Sequence, residues 1–130
     1  MSCRIFIGAA TGDGDRAAAA ASLLRRSGYI TVSSWHDRDD RMPSDKHITD
    51  LATRREIRRR NRNDLLKADV FVLMFSPECR GALMELAWAE KDGAKLFVVG
   101  KAMDITLMGL CEDTKFVDTI EQVIAALAAV

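Results

Sequence analysis

Four short strand-like runs constrain this chain more than anything else in it: residues 4–8 (Arg-Ile-Phe-Ile-Gly), 29–33 (Tyr-Ile-Thr-Val-Ser), 69–75 and 95–100 (Lys-Leu-Phe-Val-Val-Gly). Most are continuously apolar rather than alternating, and glycine or a turn-forming cluster closes them. Strands without alternation are covered on both faces. When helix-forming stretches separate them, they build a parallel sheet between two helical layers. Right-handed crossovers then leave a doubly wound sheet, most simply in the order 2-1-3-4-5, with residues 115–117 as a short fifth strand. The expected fold class is therefore α/β, a single-domain Rossmann-like or flavodoxin-like sheet of five parallel strands over residues 1–130 with helices on both faces.

The intervening segments fit this plan. Asp13 or Asp15 caps an alanine-rich helix over residues 17–26, and Gly28 stops it. A long helix starts between Asp45 and Asp50 and runs to about Lys67, with Leu51, Ile57, Leu65 and Ala68 as an imperfect apolar stripe. A further helix covers residues 81–91, and Asp118 or Thr119 caps a last one. Residues 34–50 show no apolar period and form the longest loop, a length typical of lids and binding loops. Lys and Arg number 19, as do Asp and Glu, so no global field draws the chain to nucleic acid or membrane. The arginine-rich stretch from Arg54 to Arg62 is interleaved with Glu56 and reads mainly as a solvated helix face. Three widely spaced cysteines, Cys3, Cys79 and Cys111, match no zinc pattern, and no apolar segment reaches membrane-spanning length. The expectation is a cytoplasmic protein with reduced thiols, no membrane partner, no metal and a small-molecule ligand rather than nucleic acid.

In a doubly wound sheet the ligand lies at the carboxyl ends of the strands, at the switch point between the first and third. That crevice is expected to gather the Gly8–Gly14 loop, the corner from Ser33 to His36, the turn at residues 76–81, and Glu85. Glu85 is the one charge in residues 82–89 (Ala-Leu-Met-Glu-Leu-Ala-Trp-Ala) and is placed near a helix start, where the macrodipole favours its ionised form. Position alone leaves it either a functional carboxylate or one that turns to solvent or pairs with an arginine such as Arg80. Gly8, Gly12 and Gly14 either bring backbone amides to a phosphate or sugar or form a plain turn; neither G-x-G-x-x-G nor a P-loop lysine is present. Trp35 is a stacking residue or core rim, and His36 an acid–base group or a solvated loop histidine. Asn61 lies on the inward stripe of the long helix with Asp64 at its edge.

Several segments together resemble the nucleoside 2-deoxyribosyltransferase family, in particular its small phage and actinobacterial members. They are residues 4–8, 28–35 (Gly-Tyr-Ile-Thr-Val-Ser-Ser-Trp), 61–74 (Asn-Arg-Asn-Asp-Leu-Leu-Lys-Ala-Asp-Val-Phe-Val-Leu-Met), 80–87 (Arg-Gly-Ala-Leu-Met-Glu-Leu-Ala), 93–100 and 116–119. The resemblance implies a dimer or larger homo-oligomer that acts on N-glycosidic bonds of nucleosides or nucleotides without cofactor or metal. Glu85 would be the nucleophile that forms a glycosyl-enzyme intermediate, with Gly8, Ala9, Trp35, Asn61, Arg80 and Gly81 holding substrate. Relatives often carry an aspartate where this chain has Asn61; an asparagine holds a hydroxyl but donates no proton as an acid, and Asp64, one turn on, is the candidate substitute. Relatives that bind a 5′-phosphate tend to carry a serine where Cys79 stands, while Arg80 offers a cation. A weaker resemblance is to TIR-type domains, some of which cleave NAD; here Leu83-Met84 replaces their usual Trp-Cys. It implies an NAD hydrolase or a sensor of an NAD-derived signal. A non-catalytic nucleotide-binding module is the third expectation.

Overall fold

The computed structural model describes residues 3–37 and 50–129, so most of the long loop, residues 38–49, lies outside the described residues. The order of elements is β1 (Arg4–Gly8), α1 (Gly14–Arg26), β2 (Ile30–Thr31), α2 (Leu51–Leu66), β3 (Val70–Met74), α3 (Arg80–Lys91), β4 (Lys95–Val99), β5 (Lys115–Val117) and α4 (Ile120–Ala128). All five strands are parallel, in the order β2-β1-β3-β4-β5, as the alternation of apolar runs and helices requires. The chain reverses direction along the sheet after β2, so right-handed crossovers put α1 on one face and α2 and α3 on the other. α1 packs beside α4, and α2 beside α3.

The centre of the sheet is fully buried. Ile5, Phe6 and Ile7 of β1 and Phe71, Val72 and Leu73 of β3 have no exposed surface, and Phe6 and Phe71 stack at 5.7 Å with 13° between ring planes. α1 meets the sheet with Ala17, Ala20, Ala21 and Leu24, and small residues there let the helix lie close. Gly28 ends α1 with φ at 94° and closes a Schellman motif: its N–H bonds to the Arg25 carbonyl and that of Tyr29 to Leu24. Asp50 caps α2 through the amides of Ala52 and Thr53, and Thr119 caps α4 in a reciprocal capping box with Gln122.

Two expectations need correcting. The second strand does not span residues 29–33; its ladder is only Ile30–Thr31, extended by one bond from Val32 N–H to the Ile5 carbonyl. Beyond that point side chains complete the outer edge of β1. The Ser33 hydroxyl accepts from Ile7 N–H at 3.0 Å, and the Trp35 indole N–H donates to the Ile7 carbonyl at 2.8 Å. The backbone can therefore leave the sheet early without orphaning either group of Ile7. The α2 stripe is also shorter than expected, because Leu51 is 57% exposed and only Leu65 is fully packed. The first turns of α2 carry little apolar contact with the sheet.

Ser33 is buried and serves Ile7 and His36 together. Ser33→Ala should therefore cost about 1–3 kcal/mol by stranding buried polar groups. Urea unfolding is the check, and an unchanged midpoint would show that the edge of β1 does not depend on this hydroxyl.

Candidate active site

The carboxyl ends of β1 and β3 meet at the switch point, and the chain builds this edge tightly. A Cβ on Gly8 would lie 2.7 Å from Phe71 Cζ and 3.5 Å from Ala82 Cβ. Glycine here lets the first turn of α3 settle over the end of β1, a packing reason that holds with or without a ligand. Ala9 is partly buried and Ala10 buried. From the first turn of α1, Arg16 reaches the Phe75 carbonyl at 2.9 Å and lies 3.8 Å from Asp13, tying α1 to the exit of β3. Sequence reasoning passed over Arg16. The signal was a cation in the first turn of a helix, where the macrodipole disfavours it and a specific partner must compensate.

α3 begins at Arg80, directly after Cys79, which is buried and makes no side-chain cap. Burial also pushes the Cys79 thiol up from its ordinary pKa, with Asp13 and Glu78 adding to the shift, so it stays protonated. Ser76, at the turn before it, keeps a buried hydroxyl without a hydrogen-bond partner among the described residues. Ala82, Leu86 and Ala89 face the sheet. Glu85 stands one position aside, at helical spacing from Trp88 and Asp92, on the flank that meets α2. Arg80 and Gly81 are exposed at the start of the helix.

This placement corrects the electrostatic expectation for Glu85. With α3 starting at Arg80, the first turn holds no acid and Glu85 lies in the second, where the macrodipole contributes little. Glu85 keeps some opening to solvent, yet the protein around its carboxyl removes enough water to push its pKa from 4.5 up to about 8. Burial is the cause, and no charge offsets it. The group is therefore mostly protonated at neutral pH in the unliganded protein.

α2 supplies the facing wall. The guanidinium groups of Arg58 and Arg62 lie 4.9 and 5.1 Å from the centre of the Trp88 ring, and Arg62 pairs with Asp92 at 2.8 Å. Arg59 pairs with Glu56. Much of the arginine-rich stretch thus packs and pairs within the chain. Asn61 shares the inward side of α2 with Leu65, and its Oδ1 is buried without a partner among the described residues. Asp64 accepts the Ser34 hydroxyl at 2.7 Å and points toward the exit of β2.

At that exit the structure differs from the sequence reading. His36 is fully buried rather than solvated, with Nε2 2.8 Å from Ser33 Oγ and Nδ1 3.2 Å from Asp37 Oδ1. Asp37 in turn pairs with Arg25 at 2.5 Å, and its carboxyl is held below its ordinary pKa: the bond from Arg25 and the charges of Arg25 and His36 outweigh the effect of burial. Serine, histidine and aspartate in this order have the connectivity of a nucleophilic triad. Ser33 is only 2% exposed and already accepts from Ile7, so no substrate carbonyl can reach it. The group is a structural pin. Trp35 is 7% exposed with its indole N–H engaged, which places it behind the crevice as part of the core. Among the described residues no three His, Cys, Asp or Glu side chains gather to hold a metal ion, and no helix is long and apolar enough to cross a membrane.

No protein-family model and no curated protein matches the chain. Among solved structures it is similar to the 2-deoxyribosyltransferase of Bacillus psychrosaccharolyticus, with a TM-score of 0.73 and 12% identity over 93% of this chain and 90% of that one. It is also similar to the CMP N-glycosidase of Clostridium botulinum, with a TM-score of 0.57 and 14% identity over 98% and 99% of the two chains. At these identities the likeness is one of fold: the chain has the nucleoside deoxyribosyltransferase-like fold, as its segments of resemblance implied.

The raised pKa of Glu85 makes a stability prediction. Unfolded, the carboxyl ionises near 4.5; folded, only near 8. Folding therefore favours the protonated form, and this contribution is complete below about pH 4.5 and lost as pH rises through 8. Glu85→Gln removes it, so the variant should gain stability over wild type by a few kcal/mol between pH 5 and 8, at about 1.4 kcal/mol per pKa unit. Parallel unfolding curves at the two pH values would overturn the assignment.

Proposed function

We propose that this protein cleaves or transfers the N-glycosidic bond of a nucleoside or nucleotide, with Glu85 as nucleophile. The observation that carries the reading is a desolvated carboxyl on the second turn of α3, beside the end of β3, where this fold receives its ligands. The two similar structures are enzymes of glycosyl transfer and glycoside cleavage, which supports the same class of chemistry.

A carboxylate with little hydration is a stronger nucleophile than a solvated one, once it is ionised. Glu85 attacks the anomeric carbon as the bond to the base breaks, and the oxocarbenium-like transition state is stabilised by the same negative charge. The glycosyl ester then passes to a second base or to water, and the configuration at the anomeric carbon is retained. Asn61 offers its buried carbonyl oxygen to a sugar hydroxyl, which would satisfy the group that the unliganded protein leaves unpaired. The exposed Arg80 guanidinium, beside Gly81 at the start of α3, suits a substrate phosphate. Asp64, engaged by Ser34, is set to bind or orient rather than to hand over a proton. By the family resemblance the working unit is a homodimer or larger.

Base release from a panel of ribo- and deoxynucleosides and their 5′-monophosphates tests this. Glu85→Ala should lower turnover by at least ~10³-fold, and turnover that survives the substitution would sink the mechanism. The pH profile is a second check. Because kcat/KM reports the free enzyme, its acidic limb should have an apparent pKa near 8 rather than near 4.5.

A further inference from the structure

We infer that the glycoside held at the seam of α2 and α3 carries a positive charge on the base that leaves, as an N-alkylated purinium or pyridinium nucleoside does. The inference rests on the glycosyl-cleavage reading above and narrows its substrate class.

The described residues give this seam acceptors, and Arg16, Arg58 and Arg62 beside it are engaged elsewhere, while Arg80 stands exposed at the start of α3. Glu85 lies in a poorly hydrated place, and no hydrogen bond or ion pair reaches it among the described residues. Asn61 presents a buried carbonyl oxygen without a donor. Arg58 and Arg62 cover Trp88, with Arg62 on Asp92, and Arg16 is held by the Phe75 carbonyl and Asp13. A carboxyl in such a place is held neutral by the cost of desolvating its charge, and an incoming cation is what repays that cost. A cationic ligand therefore ionises Glu85 on arrival, and the nucleophile becomes competent only in the complex.

The leaving step points the same way. A neutral nucleobase departs as an anion unless an acid protonates it; the acid position that the family resemblance implies on α2 is here Asn61, an amide with no proton to give as an acid, and Asp64, one turn on, is taken up by the Ser34 hydroxyl. A cationic base needs none. As the Glu85 oxygen bonds to the anomeric carbon, the electron pair of the breaking C–N bond returns to the ring and cancels its charge, so the base leaves neutral. Water then attacks the anomeric carbon of the ester. It releases the free sugar and regenerates the Glu85 carboxylate, and the proton of that water passes to the carboxylate or to solvent. The sum is cationic nucleoside plus water giving sugar, neutral base and one proton.

The test pairs substrates that differ in base charge: 7-methylguanosine against guanosine, and nicotinamide riboside against cytidine, each also as the 5′-monophosphate. Rates are divided by spontaneous hydrolysis under the same conditions, since cationic nucleosides are intrinsically labile. The acceleration for the cationic members should exceed that for the neutral ones by at least ~100-fold, about 2.7 kcal/mol of extra transition-state stabilisation. Calorimetry in two buffers of different ionisation enthalpy gives an independent readout. At pH 7, binding a cationic nucleoside should release about one proton from wild type and none from Glu85→Gln. Equal or greater acceleration of the neutral substrates would overturn the inference while leaving the glycosidase reading in place. Binding of the cationic nucleosides without proton release would overturn it as well. Cleavage of none of the substrates, charged or neutral, would overturn both.

Discussion

The outer edge of β1 at Ile7 is the point on which the rest of the crevice depends. Ile7 is buried, and its amide and carbonyl both face the side where β2 has already ended. A buried backbone pair without partners would cost several kcal/mol, enough to unseat the end of the strand. Ser33 and Trp35 prevent this by offering a hydroxyl and an indole N–H in place of the missing ladder. Because those side chains stand in for backbone, the chain can leave the sheet at residue 32 and turn toward α2. Ser34 then meets Asp64, and the end of β1 stays fixed beside the first turn of α3. His36, Asp37 and Arg25 continue the same bonding outward to the surface, so a group with the connectivity of a catalytic triad is used here for architecture.

The opposite wall is governed by desolvation rather than by bonding. α3 must lay Ala82, Leu86 and Ala89 on the sheet, which turns Glu85 toward α2. There Arg58 and Arg62 lie over Trp88, and Arg62 on Asp92, rather than on the Glu85 carboxyl. The result is a carboxyl whose pKa is set by missing water and not by a neighbouring charge. Natural structures rarely leave such groups without a purpose, because the folded state is less stable for it at neutral pH. Asn61 Oδ1 and Ser76 Oγ, both buried and without partners among the described residues, add to the same unsatisfied polar character around the crevice.

Much of this could be read from one sequence. The parallel order of strands followed from continuous apolar runs such as Val70–Met74, because a run with no polar face can only be covered twice. The caps at Asp50 and Thr119 and the glycine stop at Gly28 were legible because each is a local preference, decided within four or five residues. Glu85 stood out as a lone charge in an apolar stretch. Its protonation state did not, since the water lost around the carboxyl depends on how other segments pack against that flank of α3, which no local pattern reports. His36 was misread for a related reason: loop residues are usually solvated, and only the folded chain shows that this one is sealed between Ser33 and Asp37. Arg16 and the arginine contacts to Trp88 join residues far apart in the chain, and no spacing in the sequence reports them.

The sequence by itself determined the sheet, its order and the edge at which a ligand would bind, because hydrophobic pattern and handedness act on every segment independently of its partners. The tertiary structure decided what each polar group at that edge can do. It made Trp35 a core residue, Ser33 and His36 a pin, Asp64 a partner of Ser34, and Glu85 a carboxyl starved of water. Those roles depend on how much water and which dipoles surround a group once distant segments pack together, and no residue carries that information alone.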